Sequence, residues 1–570
     1  MSQRTRRQLL TAVGTGSGIA LAGCVGGGNG DGNGGNGGNG DNGNGGNGGG
    51  GGTLTFVDVE DPENLDPHVV DTTSDVSFLA FPGNAYETLL GFPGEGGELE
   101  PWLATEVPSD DNGLVSDDGL TYEFPLREGV EFHTGGEMTA DDVVFSIERA
   151  QTIGLSPDVG QLDRIESVEA DGDYTVVLTL SEQFAPFLTN VVTRPAMAVV
   201  SQEAVEENGG VQEGQRNDWM VQNTAGTGPY EAGEWNQGER IEWIAFDNYW
   251  DDQYPNIDRI VQQAVPEIGT RASMIERGDA LVAEAPAAEL SNVEGTPNAE
   301  FFFSPLFDPA HITFNFDIPY DLDNMPDEDT VDSDFFQDPN VRRAFGFAFD
   351  YDTYIEQIWN GHATRMKQYH FEGMLGYDEN APNFEYDPEQ AEELLREAGY
   401  WDGGFTITCF DEGIPEFSEG NLLLKDNLEA LNDNITIRVE SITESQMTER
   451  HTAEQFQFPM EFHGFLPQGP DPDPYYRAIH MENGSVGSRS RAYEHVDSSI
   501  LDKIEAAANE PDQEDRAEIY TELQQQCFED PAVLALTQEE GMVMHNGCVE
   551  PVWNPAWLRW HMKHWTADGC

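Results

Sequence analysis

Six aspartates crowd one stretch of the chain: Asp321, Asp323, Asp327, Asp329, Asp332 and Asp334. A hard cation such as calcium takes about six to eight oxygens around one point. The glycine and terminal glutamate that shape a calcium loop are missing here, so the stretch reads as a solvated acidic loop and no metal is expected. The twelve histidines stand singly, without the His-Glu-x-x-His spacing of a zinc hydrolase. Neither Gly-x-Ser-x-Gly nor Ser-x-x-Lys occurs. Many carboxylates could pair as acid and base, but nothing in their spacing selects a pair, so the chain does not read as an enzyme and no cofactor is expected. The five cysteines, Cys24, Cys409, Cys527, Cys548 and Cys570, form no Cys-x-x-Cys motif. A single bridge, Cys527 to Cys548, is permitted by this count.

The amino terminus reads as an address. Arg4, Arg6 and Arg7 precede an apolar stretch from Leu9 to Leu21, too short and too rich in glycine to span a bilayer. Thr5 to Leu10, with Arg6 and Arg7 adjacent, resembles a twin-arginine export signal. Leu21-Ala22-Gly23-Cys24 resembles a lipobox, which implies a diacylglycerol-modified Cys24 as the first residue of the exported protein. Two buried acyl chains give a lasting anchor. Residues 24–52 form the lipidated cysteine and its tether. Val25 to Gly52 is almost purely Gly, Asn and Asp, with no side chains to build a core. Those 28 residues behave as a coil reaching about 30 Å. The expected location is the outer face of a cell membrane.

The charge balance constrains partners. The chain carries 106 acidic against 27 basic side chains, a net −79, and only four lysines: Lys367, Lys425, Lys503 and Lys563. The acids are spread over helices, turns and loops alike. In dilute salt such a charge repels itself and opposes compaction. At ~1 M salt the screening length falls to about 3 Å and most of that repulsion disappears. The composition therefore reads as adaptation to high salt. Nucleic acid is excluded as a partner, because no basic footprint exists for a phosphate backbone.

Local patterns then position the folded body. Tyr174 to Leu180 alternates as a half-buried strand and pairs with Ile165–Ala170 across the turn Asp171-Gly172-Asp173. Thr139-Ala-Asp-Asp142 opens a helix whose one face carries Val143, Val144, Ile147 and Ala150. Asp387-Pro388-Glu389-Gln390 opens another, with Ala391, Leu394, Leu395 and Ala398 inward and Gly399 as its stop. Two late helices are predicted over 498–509 and 513–529. Hairpins mixed with capped helices give an α/β or α+β chain in several lobes, and 570 residues exceed what one core holds.

Motifs in a fixed order carry a resemblance. Asn64-Leu65-Asp66-Pro67 is followed by Tyr86-Glu87-Thr88-Leu89-Leu90. Pro101 to Thr105, Leu120 to Phe132 and Thr139 to Phe145 come next, then Gly226-Thr-Gly-Pro-Tyr230 and Asn248-Tyr249-Trp250. Val341 to Phe345, Phe349-Asp350, Tyr386 to Glu389 and Asp471-Pro472-Asp473 complete the series. Over residues 53–570 the chain resembles the family 5 extracellular solute-binding proteins of ABC importers, the dipeptide, oligopeptide and nickel type.

The resemblance implies a periplasmic-binding-protein-like class II α/β fold of three domains. Domain I would comprise 53–90, 198–305 and 535–570, domain II 91–197, and domain III 306–534. Solute would be enclosed between domains I and III as they close on a hinge, and the closed monomer would be read by the permease subunits. Peptide-binding members hold the peptide ammonium with an aspartate a few residues before the acidic-proline run; Gln468 stands at that place here. Gln accepts a hydrogen bond but supplies no charge. Where dipeptide binders place an arginine for the carboxylate, this chain has Asp411 or Glu412. Peptides are the expected solutes, with longer peptides, cations and uncharged solutes left open by these two departures. Phe465, Trp219 and Trp235 line the cavity or pack in the core. Asp471 and Asp473 read as caps of the helix that begins near Pro474.

Overall fold

The computed structural model describes residues 52–69, 83–92, 98–156, 159–323, 325–451, 458–464, 469–551, 553–554 and 559–567. β1 (Thr53–Asp58) starts the largest sheet. β2 (Leu90–Gly91) and β3 (Glu100–Pro101) pair as a short antiparallel ladder. β4 (Thr121–Pro125), β5 (Ile165–Ala170) and β6 (Thr175–Leu180) make a separate three-stranded sheet with β6 central. The expected hairpin is therefore present, and the helix Ala140–Ile153 packs on it. Thr139 closes a capping box with Asp142, and Gly154 ends the helix in the left-handed region at φ 62°.

The largest sheet continues through β7 (Tyr230–Asn236), β8 (Arg240–Ala245), β9 (Arg259–Ala264) and β10 (Val282–Ala285). It then takes in β11 (Glu300–Phe314), β12 (Ala363–Arg365), β13 (Phe405–Asp411), β14 (Ile435–Ser441), β15 (Met460–Gly464) and β16 (Val533–His545). Its order is β14-β13-β15-β11-β16-β10-β1-β9-β8-β7, with β12 on β16. We refer to the half carrying β1 and β7–β10 as lobe I, the β4–β6 sheet with its helix as lobe II, and the half carrying β13–β15 as lobe III. Each has its own apolar core: Phe56, Trp243 and Trp565 in lobe I, Phe124, Ile147 and Leu178 in lobe II, and Phe314, Phe345 and Phe462 in lobe III.

Helices cover lobe III where the sequence predicts them. Asp387 accepts from the amides of Glu389 and Gln390 and opens the helix Pro388–Glu397, with Ala391, Leu394 and Leu395 buried. Ser498–Asn509 and Gln513–Glu529 form the two late helices, capped by Asp497 and Asp512. Two expectations change. Cys527 is a buried free thiol while Cys548 is disulfide-bonded, so those two are not bridged to each other. Cys527 sits in the apolar core of lobe III, where burial pushes its thiol well up and no thiol partner is present among the described residues. The acidic loop is not uniformly solvated either. Asp329 is half-buried and accepts from the Thr408 hydroxyl at 2.8 Å and its amide at 3.2 Å, and burial lifts its carboxyl to about 6.

Candidate functional site: the seam between lobes I and III

The chain crosses from lobe I to lobe III on β11 and returns on β16. The two strands pair antiparallel from Glu300 opposite His545 to Thr313 opposite Val533. Between Pro305 and Pro309 the register slips, and it slips again between Ala310 and His311. Proline has no N–H to give to a ladder, so two prolines four residues apart cannot hold a regular one. The carbonyls set free find side chains instead. Gln538 Nε2 donates to the Leu306 carbonyl at 2.8 Å, and the Tyr475 hydroxyl donates to that of Phe307 at 2.8 Å. The outer edge of β16 is divided as well. β10 of lobe I takes 542–545 and β12 takes 537–539, which leaves Glu540 and Gly541 between them. A two-strand crossing with a bulge on one strand and a gap on the other edge bends more easily than the bonded sheet on either side.

Around this seam the lobes face each other with specific groups. The His362 ring lies parallel over Phe303, centroids 3.7 Å apart and planes 5° apart. Its Nδ1 donates to Glu540 Oε2 at 2.8 Å, and the Glu540 amide donates to the His362 carbonyl at 3.1 Å. Asn360 Nδ2 donates to the Ala288 carbonyl at 3.3 Å. Glu416, at the start of the helix Pro415–Leu431, has its carboxyl pushed up by burial, with the charge of Glu289 across the seam adding to the effect.

The residues singled out in the sequence are distributed over this frame. Asp411 ends β13, fully buried, and accepts from the Ser418 hydroxyl at 2.7 Å, the Gly413 amide at 2.8 Å, and Asn421 Nδ2 and the Ser441 hydroxyl at 3.1 Å. Glu412 follows it, half-buried. Trp219 packs half-buried against the lobe I core. Trp235 does the same from β7, its indole donating to Asp61 at 2.7 Å. Phe465 and Gln468 lie outside the described residues, as do Cys24, Arg6 and Arg7. β15 leads directly into the segment that carries Phe465 and Gln468.

The helix Asp473–His480 has Pro472 at its cap position with no side-chain cap bond, so the acidic-proline run does not cap it as expected. The Asp473 amide does donate to Asp471 Oδ1 at 2.9 Å, but the main partner of Asp471 is Arg516, with bonds of 2.8 and 2.9 Å. Burial pushes the Asp471 carboxyl up, and the Arg516 charge together with its hydrogen bonds outweighs this and holds it below the usual range. Asp473 pairs with Arg477 one turn along its own helix; burial dominates there and lifts its carboxyl to about 6. Sequence reading did not find His362, Phe303, Glu540, Gln538, Tyr475 or Arg516. The one available signal was Pro305 and Pro309 inside an otherwise strand-like run.

Two sheet lobes joined by a crossing pair of strands, with a third lobe packed beside them, define a periplasmic-binding-protein-like class II fold. Residues 98–485 match the family described as Bacterial extracellular solute-binding proteins, family 5 Middle. The chain belongs to this family of ABC-transporter solute-binding proteins, and it is a binding protein, not an enzyme. It is 26% identical over 468 residues to the heme-binding protein A of Haemophilus influenzae, covering 79% of this chain and 80% of that one. It is 31% identical over 303 residues to the glutathione-binding protein GsiB of Escherichia coli, which is 52% of this chain and 53% of GsiB. It is also similar to the structure of the ABC transporter-associated periplasmic binding protein DppA from Helicobacter pylori in complex with the peptide STSA. That likeness has a TM-score of 0.70 at 26% identity and covers 91% and 98% of the two chains. Among the described residues no helix is long and apolar enough to cross a membrane.

Proposed function

We propose that this protein is the lipid-anchored, extracytoplasmic subunit of an ABC importer that captures peptides and delivers them to the membrane permease. One observation carries the capture mechanism: lobes I and III are joined through β11 and β16 at a point where both strands lose regular pairing. A ligand held between two such lobes is buried on closure, and closure changes the outer shape that a permease reads. The proposed division is 53–90, 198–305 and 535–570, then 91–197, then 306–534, and the β11–β16 crossing supports its breaks near 305 and 535. Peptide is supported by the peptide complex of DppA. The signal residues Arg6 and Arg7, the lipobox Cys24 and the Gly/Asn/Asp tether support export and anchoring on the outer face of the membrane. The protein would act as a monomer.

Gln468 favours a second reading, a solute without a free ammonium, since a neutral amide stands where a charge would hold a peptide amino terminus. The relatives named for heme and glutathione show how widely solutes vary on this frame. Native mass spectrometry of the protein purified in high salt from its own cells decides between the two. A co-purifying peptide supports the first reading; a co-purifying non-peptide solute replaces it with the second.

A further inference from the structure

The geometry points to the turn Asn360–His362 as a clasp that holds lobes I and III together, with His362 as the positioning residue for solute capture. The inference rests on the reading that solute is enclosed between these lobes.

The turn is built for reach. It follows a π-helical stretch, Tyr354–Ile358, which offsets the chain from the ordinary helical path. Asn360 and Gly361 are then both left-handed, at φ 54° and 82°. A side chain at positive φ is uncommon, and two successive left-handed residues turn the backbone sharply outward. The result is that three consecutive residues of lobe III approach the other side of the seam. Asn360 donates to the Ala288 carbonyl of lobe I. The His362 ring covers Phe303, on the lobe I half of β11. Its Nδ1 and its carbonyl engage Glu540, one of the two β16 residues left between β10 and β12.

Bending at Pro305–Pro309 changes the position of Phe303 and Ala288 relative to His362. These contacts are therefore made in one lobe arrangement and weakened in another. None of the three residues has to touch solute to act. A clasp raises the fraction of molecules in the closed, binding-competent arrangement, and apparent affinity scales with that fraction. Its effect is the same for every solute, unlike that of a residue lining the cavity.

The test reads the lobes directly. Spin labels at Glu276→Cys in lobe I and Asp402→Cys in lobe III, both exposed, report the interlobe distance in the full chain without added solute. Cys409 and Cys527 are buried. The expected result is that His362→Ala and Phe303→Leu each shift the population to longer distances, with the ratio of closed to open falling about tenfold. Glu540→Gln, which keeps a hydrogen bond but loses the charge, should lower that ratio about threefold. If His362→Ala fails to fold by circular dichroism, Phe303→Leu and Glu540→Gln decide. Unchanged distances in these variants overturn the clasp, because the contacts are then features of the hinge in every arrangement. The two readings fail separately: a protein that never co-purifies with solute removes the solute trap, while the distance shift still stands or falls by itself.

Discussion

Arg516 and Asp471 form a buried, two-bond ion pair that joins the helix Gln513–Glu529 to the turn after β15, with both side chains almost fully enclosed. Thr189 of lobe II adds a hydrogen bond to Asp471 at 3.2 Å, and the Ala185 amide donates to the Ala508 carbonyl at 2.7 Å beside it. The Asp471 carboxylate and the Ala508 carbonyl of lobe III thus each take a hydrogen bond from lobe II. Arg516→Met leaves that carboxylate buried without its counter-charge, which costs about 3–5 kcal/mol. Denaturant unfolding at multimolar salt should show a loss of that size. The double variant Asp471→Leu, Arg516→Met should recover a good part of it; no recovery would mean that the lost packing of Arg516, not the stranded charge, is responsible.

His133 ties lobe II to lobe I. Its amide donates to the Gly226 carbonyl at 2.9 Å and its Nε2 to that of Gly228 at 2.9 Å. Burial lowers its pKa from 6.5 to about 4. In the folded state it stays neutral where the unfolded chain takes up a proton. Its contribution is therefore present above pH 6.5 and is lost as the pH falls towards 4. Compared with His133→Gln, wild-type stability should decline by up to about 1.4 kcal/mol per pH unit through that window. A stability difference independent of pH would remove the assignment.

The whole chain should depend on salt. Removal of residues 1–23 would take away three arginines and no acid, so the remaining body would carry −82. Withdrawal of salt lengthens the screening distance from about 3 Å at 1 M to about 10 Å at 0.1 M. Thermal unfolding should move steeply downwards as salt is removed. A midpoint that holds constant from low to multimolar salt contradicts the screening argument.

If Cys24 carries the proposed lipid, Cys24→Ser should leave the body folded and release it from membranes, since a serine hydroxyl would not replace the thiol. Fractionation after a salt wash checks this. Retention of the variant in the membrane pellet would show that something other than the lipobox anchors the protein.

Gln468→Asp tests the solute site. A carboxylate enclosed on closure should favour ligands with a free ammonium by about 1–3 kcal/mol, roughly 5- to 150-fold in affinity. Neutral and anionic ligands should weaken, because the new charge is buried unpaired. Titration of both proteins with free peptides and with the co-purified solute at one salt concentration measures the difference. Identical affinities throughout would place Gln468 outside the site.

Much of the local architecture is determined within a few residues of sequence. The cap at Thr139, the cap and proline at Asp387-Pro388, and the β5–β6 hairpin around Asp171-Gly172 all form as their spacing predicts. Each depends on hydrogen bonds between neighbours and on an apolar period that needs no distant partner. The acid excess is likewise read from composition alone, and the family from the order of its motifs. What the tertiary structure decided is which distant groups meet. Arg516 lies 45 residues from Asp471, and His362 lies 178 from Glu540. With 106 acids in the chain, no spacing rule selects the one that an arginine or a histidine will pair with. That choice is made by the fold: Arg516 and Asp471 meet in an enclosed place where water no longer competes for the charge, while His362 and Glu540, both half-buried, are brought together where β12 runs beside β16.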